Sequence, residues 1–291
     1  MNGILIVDKP ANWTSHDVIA KLRNTLKIKR IGHGGTLDPM ATGVLPVFIG
    51  RATRAAEFCE NAEKEYIAGL RLGLTTDTQD ITGQTICESG KNANIDELHS
   101  VLPRFLGPQK QIPPMYSAIK QNGKKLYELA RRGVEVSRPA RDITISAIEL
   151  LDVENTDFIL RIACSKGTYI RTICHDIGAV LGTGGVMSSL RRTRAGEFSI
   201  EMSHTLDAIL LKSSIDNIEN LILPVDTLFR NYPEVMLNET DTRKMRNGVP
   251  CSAMGLAEGT HRFYGPSREF LALGKIYNGK TTLVKTFWEP L

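Results

Sequence analysis

Gly32-His33-Gly34-Gly35-Thr36-Leu37-Asp38-Pro39 sets a carboxylate in a glycine-rich loop, immediately before a proline and ahead of the apolar run 44–49. Such a stretch cannot be regular helix. Glycines let a backbone approach a ligand closely, and function concentrates on loops anchored by rigid elements. Asp before Pro is also an ordinary turn residue. No second carboxylate and no nucleophilic Ser or Cys stands at a fixed offset, so residue types and spacing alone make Asp38 a candidate active-site carboxylate and no more.

Upstream of this loop, Ile4, Leu5, Ile6 and Val7 read as a buried first strand over 3–8 that ends at Pro10. Ser15 reads as the N-cap of a helix over 16–26, with Val18, Ile19 and Leu22 on one face. Downstream, 54–62 reads as a short helix, and 66–72 alternates as a strand. Further strands are expected at 143–153 and 158–164, then a helix over 169–181 and a strand-like run ending at Phe198. Pro224 and Pro233 punctuate a connecting segment at 213–232, and strands at 270–277 and 281–287 flank the turn Asn278-Gly279. The expected division is a body over 1–212, a connector over 213–232 and a small β-rich domain over 233–291. The fold class is α+β, with a mixed sheet, helices and an inserted basic lobe at about 104–141.

Composition narrows the function. The 291 residues are 42% hydrophobic and 23% charged, an ordinary globular balance, and no apolar run is long enough to cross a bilayer. The first strand begins almost at Met1 without a basic leader, so a cytoplasmic chain is expected. Five widely spaced cysteines and six scattered histidines form no CxxC pair or metal-ligand cluster, which predicts idle thiols and no metal. No Gly-x-Gly-x-x-Gly or Gly-Lys-Ser/Thr loop follows a strand, which disfavours a nucleotide-binding enzyme. The net charge of +4 is modest, but residues 104–141 hold nine Lys/Arg against Glu128 and Glu135, and 161–196 hold six against Asp176 alone. Two basic zones on a balanced chain suit a surface that tracks phosphates.

Several longer motifs carry a family resemblance. Asp8-Lys9-Pro10, Thr14-Ser15-His16-Asp17-Val18-Ile19, the 32–39 loop and Ala41-Thr42-Gly43-Val44-Leu45-Pro46 come first. Lys64-Glu65-Tyr66, Leu72-Gly73 and Thr76-Asp77-Thr78 with Asp80 and Gly83 follow. Gln111, Pro113-Pro114-Met115-Tyr116-Ser117-Ala118, Ser165-Lys166-Gly167-Thr168-Tyr169-Ile170-Arg171 and Leu190-Arg191-Arg192 complete the set. Together they resemble the TruB family of tRNA pseudouridine synthases, in the family's order over 3–200. The tail resembles the family's small PUA-like RNA-binding domain on position and strand pattern alone. Where the family usually has glycine, this chain has Asn12.

The resemblance implies a cofactor-free isomerase that converts a uridine in the T-loop of tRNA, position 55, to pseudouridine. It makes Asp38 the catalytic aspartate, Arg171 the cation that offsets its desolvation, and Tyr66 a catalytic and pocket residue. Tyr169 and Leu190 would line the same pocket and His33 would contact the flipped RNA. Lys9, Lys64 and the lobe cations Lys120, Lys124, Lys125, Arg131 and Arg132 are candidates for phosphate contacts, as are Arg243, Lys244, Arg246, Arg262, Arg268, Lys275, Lys280 and Lys285 in the tail. The implied partner is the T-arm of tRNA, with no protein partner and a monomeric enzyme. Two competing readings are an RNA chaperone that remodels the tRNA elbow and a pseudouridine synthase acting on another RNA.

Overall fold

Ile4, Leu5, Ile6 and Val7 are at most 1% exposed, which fits a strand covered on both faces. The computed structural model describes residues 1–121, 123–214 and 218–288, so part of the connector expected at 213–232 lies outside the described residues. The chain gathers into two units. Met1–Pro39, Val44–Glu60 and Glu201–Leu291 form one, and Met40–Gly43 with Asn61–Ile200 form the other.

In the first unit the strand Gly3–Lys9 lies between His204–Thr205, with which it pairs in parallel, and Thr42–Ile49. Ile31–His33 pairs antiparallel with the end of Thr42–Ile49. The helix Ser15–Leu26 buries Val18, Ile19 and Leu22, as the periodicity predicts, but its N-cap is Thr14 and not Ser15. Thr14 Oγ1 accepts from Asp17 N–H at 3.0 Å while the Asp17 carboxylate accepts from Thr14 N–H at 2.9 Å, a reciprocal capping box. The side-chain and backbone bonds to Thr14 hold the Asp17 carboxyl below the usual range. Ser15 is thereby released to point inward. Residues 50–61 form a 3-10 turn, Gly50–Ala55, and a short helix, Ala56–Asn61, in place of one helix over 54–62.

The tail of this unit is a four-stranded sheet in the order Glu234–Met236, Gly259–Tyr264, Phe270–Tyr277, Lys280–Thr286. Asn278 and Gly279, at φ 49° and 65°, make the expected two-residue hairpin turn. Strand Gly259–Tyr264 and helix Glu239–Arg246 escaped the sequence pattern. Phe58 and Phe229 stand edge to face at 5.1 Å, and Phe229 packs against Phe270 and Phe287 at 5.9 and 5.8 Å. Cutting the chain near Asn231 would therefore uncover aromatic rings that are now covered.

In the second unit Lys64–Leu72 is the central strand, flanked antiparallel by Gly185–Ala195 and Asp157–Cys164. Arg141–Glu154 continues the sheet beyond Asp157–Cys164, and Gly107–Gln111 forms its edge. The N-terminal end of the basic lobe is thus part of the sheet. Beyond it lie a small ladder, Lys120–Gln121 with Lys124–Lys125, and the helix Leu126–Ala130. Thr42 and Gly43 pair in parallel with Arg191 and Arg192. Gly43 has φ 99°, and a Cβ there would collide with the Arg192 backbone, so only glycine fits. The helix Ile170–Leu181 buries Ile170, Arg171, Ile173, Cys174 and Ile177 and ends at Gly182 in the left-handed region.

Asn12 has φ 63°, which accounts for the family's glycine at this place. Its N–H also donates to Pro39 O at 2.9 Å. Asn12→Gly is expected to change stability by no more than a few tenths of a kcal/mol. Asn12→Val forces a β-branched residue into the left-handed region and should cost about 1–2 kcal/mol, measured as a lower urea midpoint.

Candidate active site

The loop that carries Asp38 is pinned at three points within its unit. Lys9 is fully buried, and its ammonium donates to Pro10 O at 2.8 Å, Trp13 O at 2.6 Å and Pro39 O at 3.2 Å. An ammonium has three N–H donors, so these carbonyls match its capacity. Ser15 Oγ accepts from Leu37 N–H at 2.9 Å and donates to Leu37 O at 3.2 Å. Gly34 N–H donates to Pro46 O at 2.9 Å. A Cβ on Gly34 would come 2.8 Å from Phe48 and 2.9 Å from Cys59 Cβ, too close for any side chain. Asp38 itself is half-buried at the end of this fixed backbone, and the His33 ring meets His16 edge to face at 5.6 Å.

Lys9 is therefore a clamp of the loop. Lys64 is buried as well. It is 6% exposed, and its ammonium donates to Ala62 O at 2.7 Å.

The second unit assembles the other residues. Arg171, 5% exposed on the first turn of its helix, donates from Nη1 to Thr78 O at 3.1 Å and from Nη2 to Tyr116 O at 2.9 Å. Asp80 Oδ2 stands 3.7 Å from Arg171 Nη1. Its Oδ1 accepts from Thr78 Oγ1 at 2.9 Å, Thr82 N–H at 3.0 Å and Thr82 Oγ1 at 2.6 Å. Asp80 is 6% exposed, so this is a buried, hydrogen-bonded carboxylate beside a buried guanidinium. The motif residue Asp80 received no role from the sequence, because nothing in its spacing shows that it meets a residue 91 positions later. Tyr169, half-buried, has its N–H and carbonyl both held by the Gln111 amide, at 2.8 and 3.0 Å. Gln111 is a second residue whose part emerges only here.

Register places Tyr66 and Leu190. Tyr66 lies opposite Arg192 and Ala68 opposite Leu190 across the antiparallel pair. Directly opposed residues share a face, so Tyr66 and Leu190 are diagonal neighbours on one side of the sheet. The lobe cations Lys120, Lys124, Arg131 and Arg132 are exposed. Lys125 Nζ and the Arg131 guanidinium lie 5.4 and 5.3 Å from the Tyr127 ring centre. Burial pushes the Cys164 and Cys174 thiols up to about 12, which leaves them inert as nucleophiles.

A model of the N-terminal domain of TruB family pseudouridylate synthases matches residues 23–170, and one of the tRNA pseudouridylate synthase B C-terminal domain matches residues 171–230. The chain is 42% identical over 284 residues to the tRNA pseudouridine synthase B of Alkaliphilus oremlandii, covering 96% of this chain and 94% of that one. It is 45% identical over 291 residues to the enzyme of the same name from Syntrophomonas wolfei, covering 97% of each. Among solved structures it resembles a chain in a Cbf5-Nop10-Gar1 complex, with a TM-score of 0.77 and 28% identity over 98% of this chain and 85% of that one. The pseudouridylate synthase class follows from these matches. The chain belongs to the TruB family.

Two outcomes follow from the geometry. Breaking a buried ion pair on one side typically costs about 3–5 kcal/mol, so Arg171→Met, which leaves Asp80 without its neighbouring guanidinium, should lower unfolding stability by that order. Asp80→Asn should cost less, since the amide oxygen still accepts from Thr78 and Thr82. Urea titration of both variants checks the ranking. Separately, burial pushes the Asp176 carboxyl above its ordinary range, against a smaller opposing pull from His175. A group whose folded pKa is raised adds stability in acid that is lost as pH rises through the folded value. Asp176→Asn should therefore raise the urea midpoint at pH 7 and give no gain near pH 3.

Proposed function

We propose that this chain isomerises a uridine in the T-loop of tRNA to pseudouridine, with Asp38 as the reacting carboxylate. Conversion of uridine to pseudouridine in tRNA, the work of an isomerase of the intramolecular-transferase kind, is the activity of the family to which it belongs. In this reaction the N1–C1′ bond breaks, the uracil turns, and C5 bonds to C1′. The C5 hydrogen leaves as a proton while N1 gains one, so no oxidant or reductant is consumed.

The observation that carries the reading is the fixed backbone around Asp38, held by Lys9 and Ser15. A carboxylate that attacks the sugar or base, or that removes the sugar 2′ proton, has to be aimed before the substrate arrives. In this reading Arg171 offsets the charge of Asp38, and the carbonyls of Thr78 and Tyr116 keep its guanidinium from rotating. Tyr66 and Leu190 line the pocket from the sheet, Tyr169 supplies a second ring, and His33 contacts the flipped nucleotide. The exposed lobe cations take phosphates. The body over 1–212 carries the chemistry and the tail over 233–291 adds RNA affinity. The chain acts as a monomer in the cytoplasm, without a protein partner.

Release of tritium from a T-arm stem-loop labelled at uridine C5 tests the reading, because isomerisation expels that hydrogen. The wild-type chain should release it, and Asp38→Asn should lower the rate by at least roughly 100-fold, the low end for loss of a reacting acid–base group. Binding of the same stem-loop should be retained. Wild-type turnover in Asp38→Asn would remove Asp38 from the chemistry. Absence of release by the wild-type chain would favour an RNA chaperone.

A further inference from the structure

Eight tail cations are candidates for RNA contacts, and the structure sorts them. Lys244 pairs with Asp241, Arg246 with Glu269, Arg262 and Arg268 with Glu234, and Lys285 with Glu57. Arg243, Lys275 and Lys280 are exposed and stand in no ion pair among the described residues. Two of these three share one hairpin. Tyr277 lies opposite Lys280, and Lys275 opposite Thr282. Alternate residues of a strand share a face, so Lys275, Tyr277, Lys280 and Thr282 stand together on one side. Ile276 and Thr281 oppose each other on the other side.

Burial follows this division. Ile276 is 2% exposed and Thr281 5%, whereas Tyr277 is 67% exposed. The Tyr277 ring adds little to the core, and a hairpin closed by Asn278-Gly279 needs no aromatic beside its turn. Met254, 82% exposed, lies against the turn at Gly279. Glu258 accepts from Asn278 N–H at 3.1 Å, so its carboxylate is engaged by the turn backbone. What results is a β-face on which an exposed ring is flanked by two exposed lysines. Every base has a face that stacks on an aromatic ring, and flanking lysines match the phosphates on either side.

We infer that the Lys275, Tyr277 and Lys280 face binds an unpaired RNA nucleotide, its base stacked on Tyr277 and its phosphates on the two lysines. A base inside a duplex already has both faces covered, so this surface selects single-stranded RNA, which phosphate contacts alone would not do. The inference rests on the reading that the chain acts on RNA and names what its tail takes.

The test uses the full chain and a uridine-free, single-stranded heptaribonucleotide with 2-aminopurine at its centre, alongside the same oligonucleotide annealed to its complement. Wild type should quench the single-strand fluorescence on binding. Tyr277→Ala should abolish the quench and weaken single-strand affinity by roughly 5- to 150-fold, the range for loss of one stacked base, while Tyr277→Phe keeps both. Lys275→Ala combined with Lys280→Ala should flatten the salt slope by about 1.4, for two single-strand phosphates. Unchanged quench and affinity in Tyr277→Ala would overturn the inference, as would an equal loss of affinity for the duplex or no quench by wild type. Tritium release from the T-arm stem-loop is measured on the same preparation. Quenching without release sinks the isomerase reading alone, and release without quenching sinks this one alone.

Discussion

The buried ammonium of Lys9 is the constraint on which the Asp38 loop depends. Removing an ammonium from water is costly unless its donors are satisfied, and here the carbonyls of Pro10, Trp13 and Pro39 satisfy them. Those carbonyls belong to the turn after the first strand and to the residue that follows Asp38. One side chain therefore ties together two segments 30 positions apart. Ser15 and Asn12 add backbone bonds from the same turn. The conformation around Asp38 is thus set by groups drawn from the turn after the first strand and the start of the first helix.

The second unit solves the same problem in another way. Arg171 is held through carbonyls of two loops, at Thr78 and Tyr116, and stands beside a carboxylate that is itself fixed by Thr78 and Thr82. Each of those loops bears a motif of the family. Their common task is to present acceptors to one guanidinium, whose planar fork of donors suits such fixed geometry. The cations of this protein thus differ in their surroundings. Lys9, Lys64 and Arg171 are buried, while Lys120, Lys124, Arg131, Lys275 and Lys280 are exposed and available to a polyanion.

Much of the local structure was legible in advance because local physics decides it. The buried first strand, the apolar face of the first helix, the alternating strand through Tyr66 and the Asn278-Gly279 hairpin all follow from spacing of a few residues. The glycine-rich run marked Asp38 as a loop carboxylate, and the motif order pointed to the family that the comparisons show. Gly259–Tyr264 and Glu239–Arg246 were missed. The strand opens on Gly259-Thr260-His261-Arg262 and has apolar residues only at Phe263 and Tyr264, and the helix buries only Thr242 and Met245, leaving almost no apolar stripe to read.

Neighbours along the chain were enough to mark many of the secondary elements, the family resemblance and the candidate carboxylate, because short-range spacing carries each of them. The tertiary structure alone decided what the charged and polar side chains do. Thr14 caps the first helix, and Ser15 is engaged instead by Leu37, 22 positions on. Lys9 is buried and reaches the carbonyl of Pro39, 30 positions on. Asp80 finds Arg171, and Gln111 finds Tyr169, only once the sheet and its loops have closed. Five tail cations are ion-paired with acids, one of them as far away as Glu57, while Lys275 and Lys280 face solvent beside Tyr277. A charge costs or contributes according to the water and partners around it, and those are set by chain segments far apart in sequence.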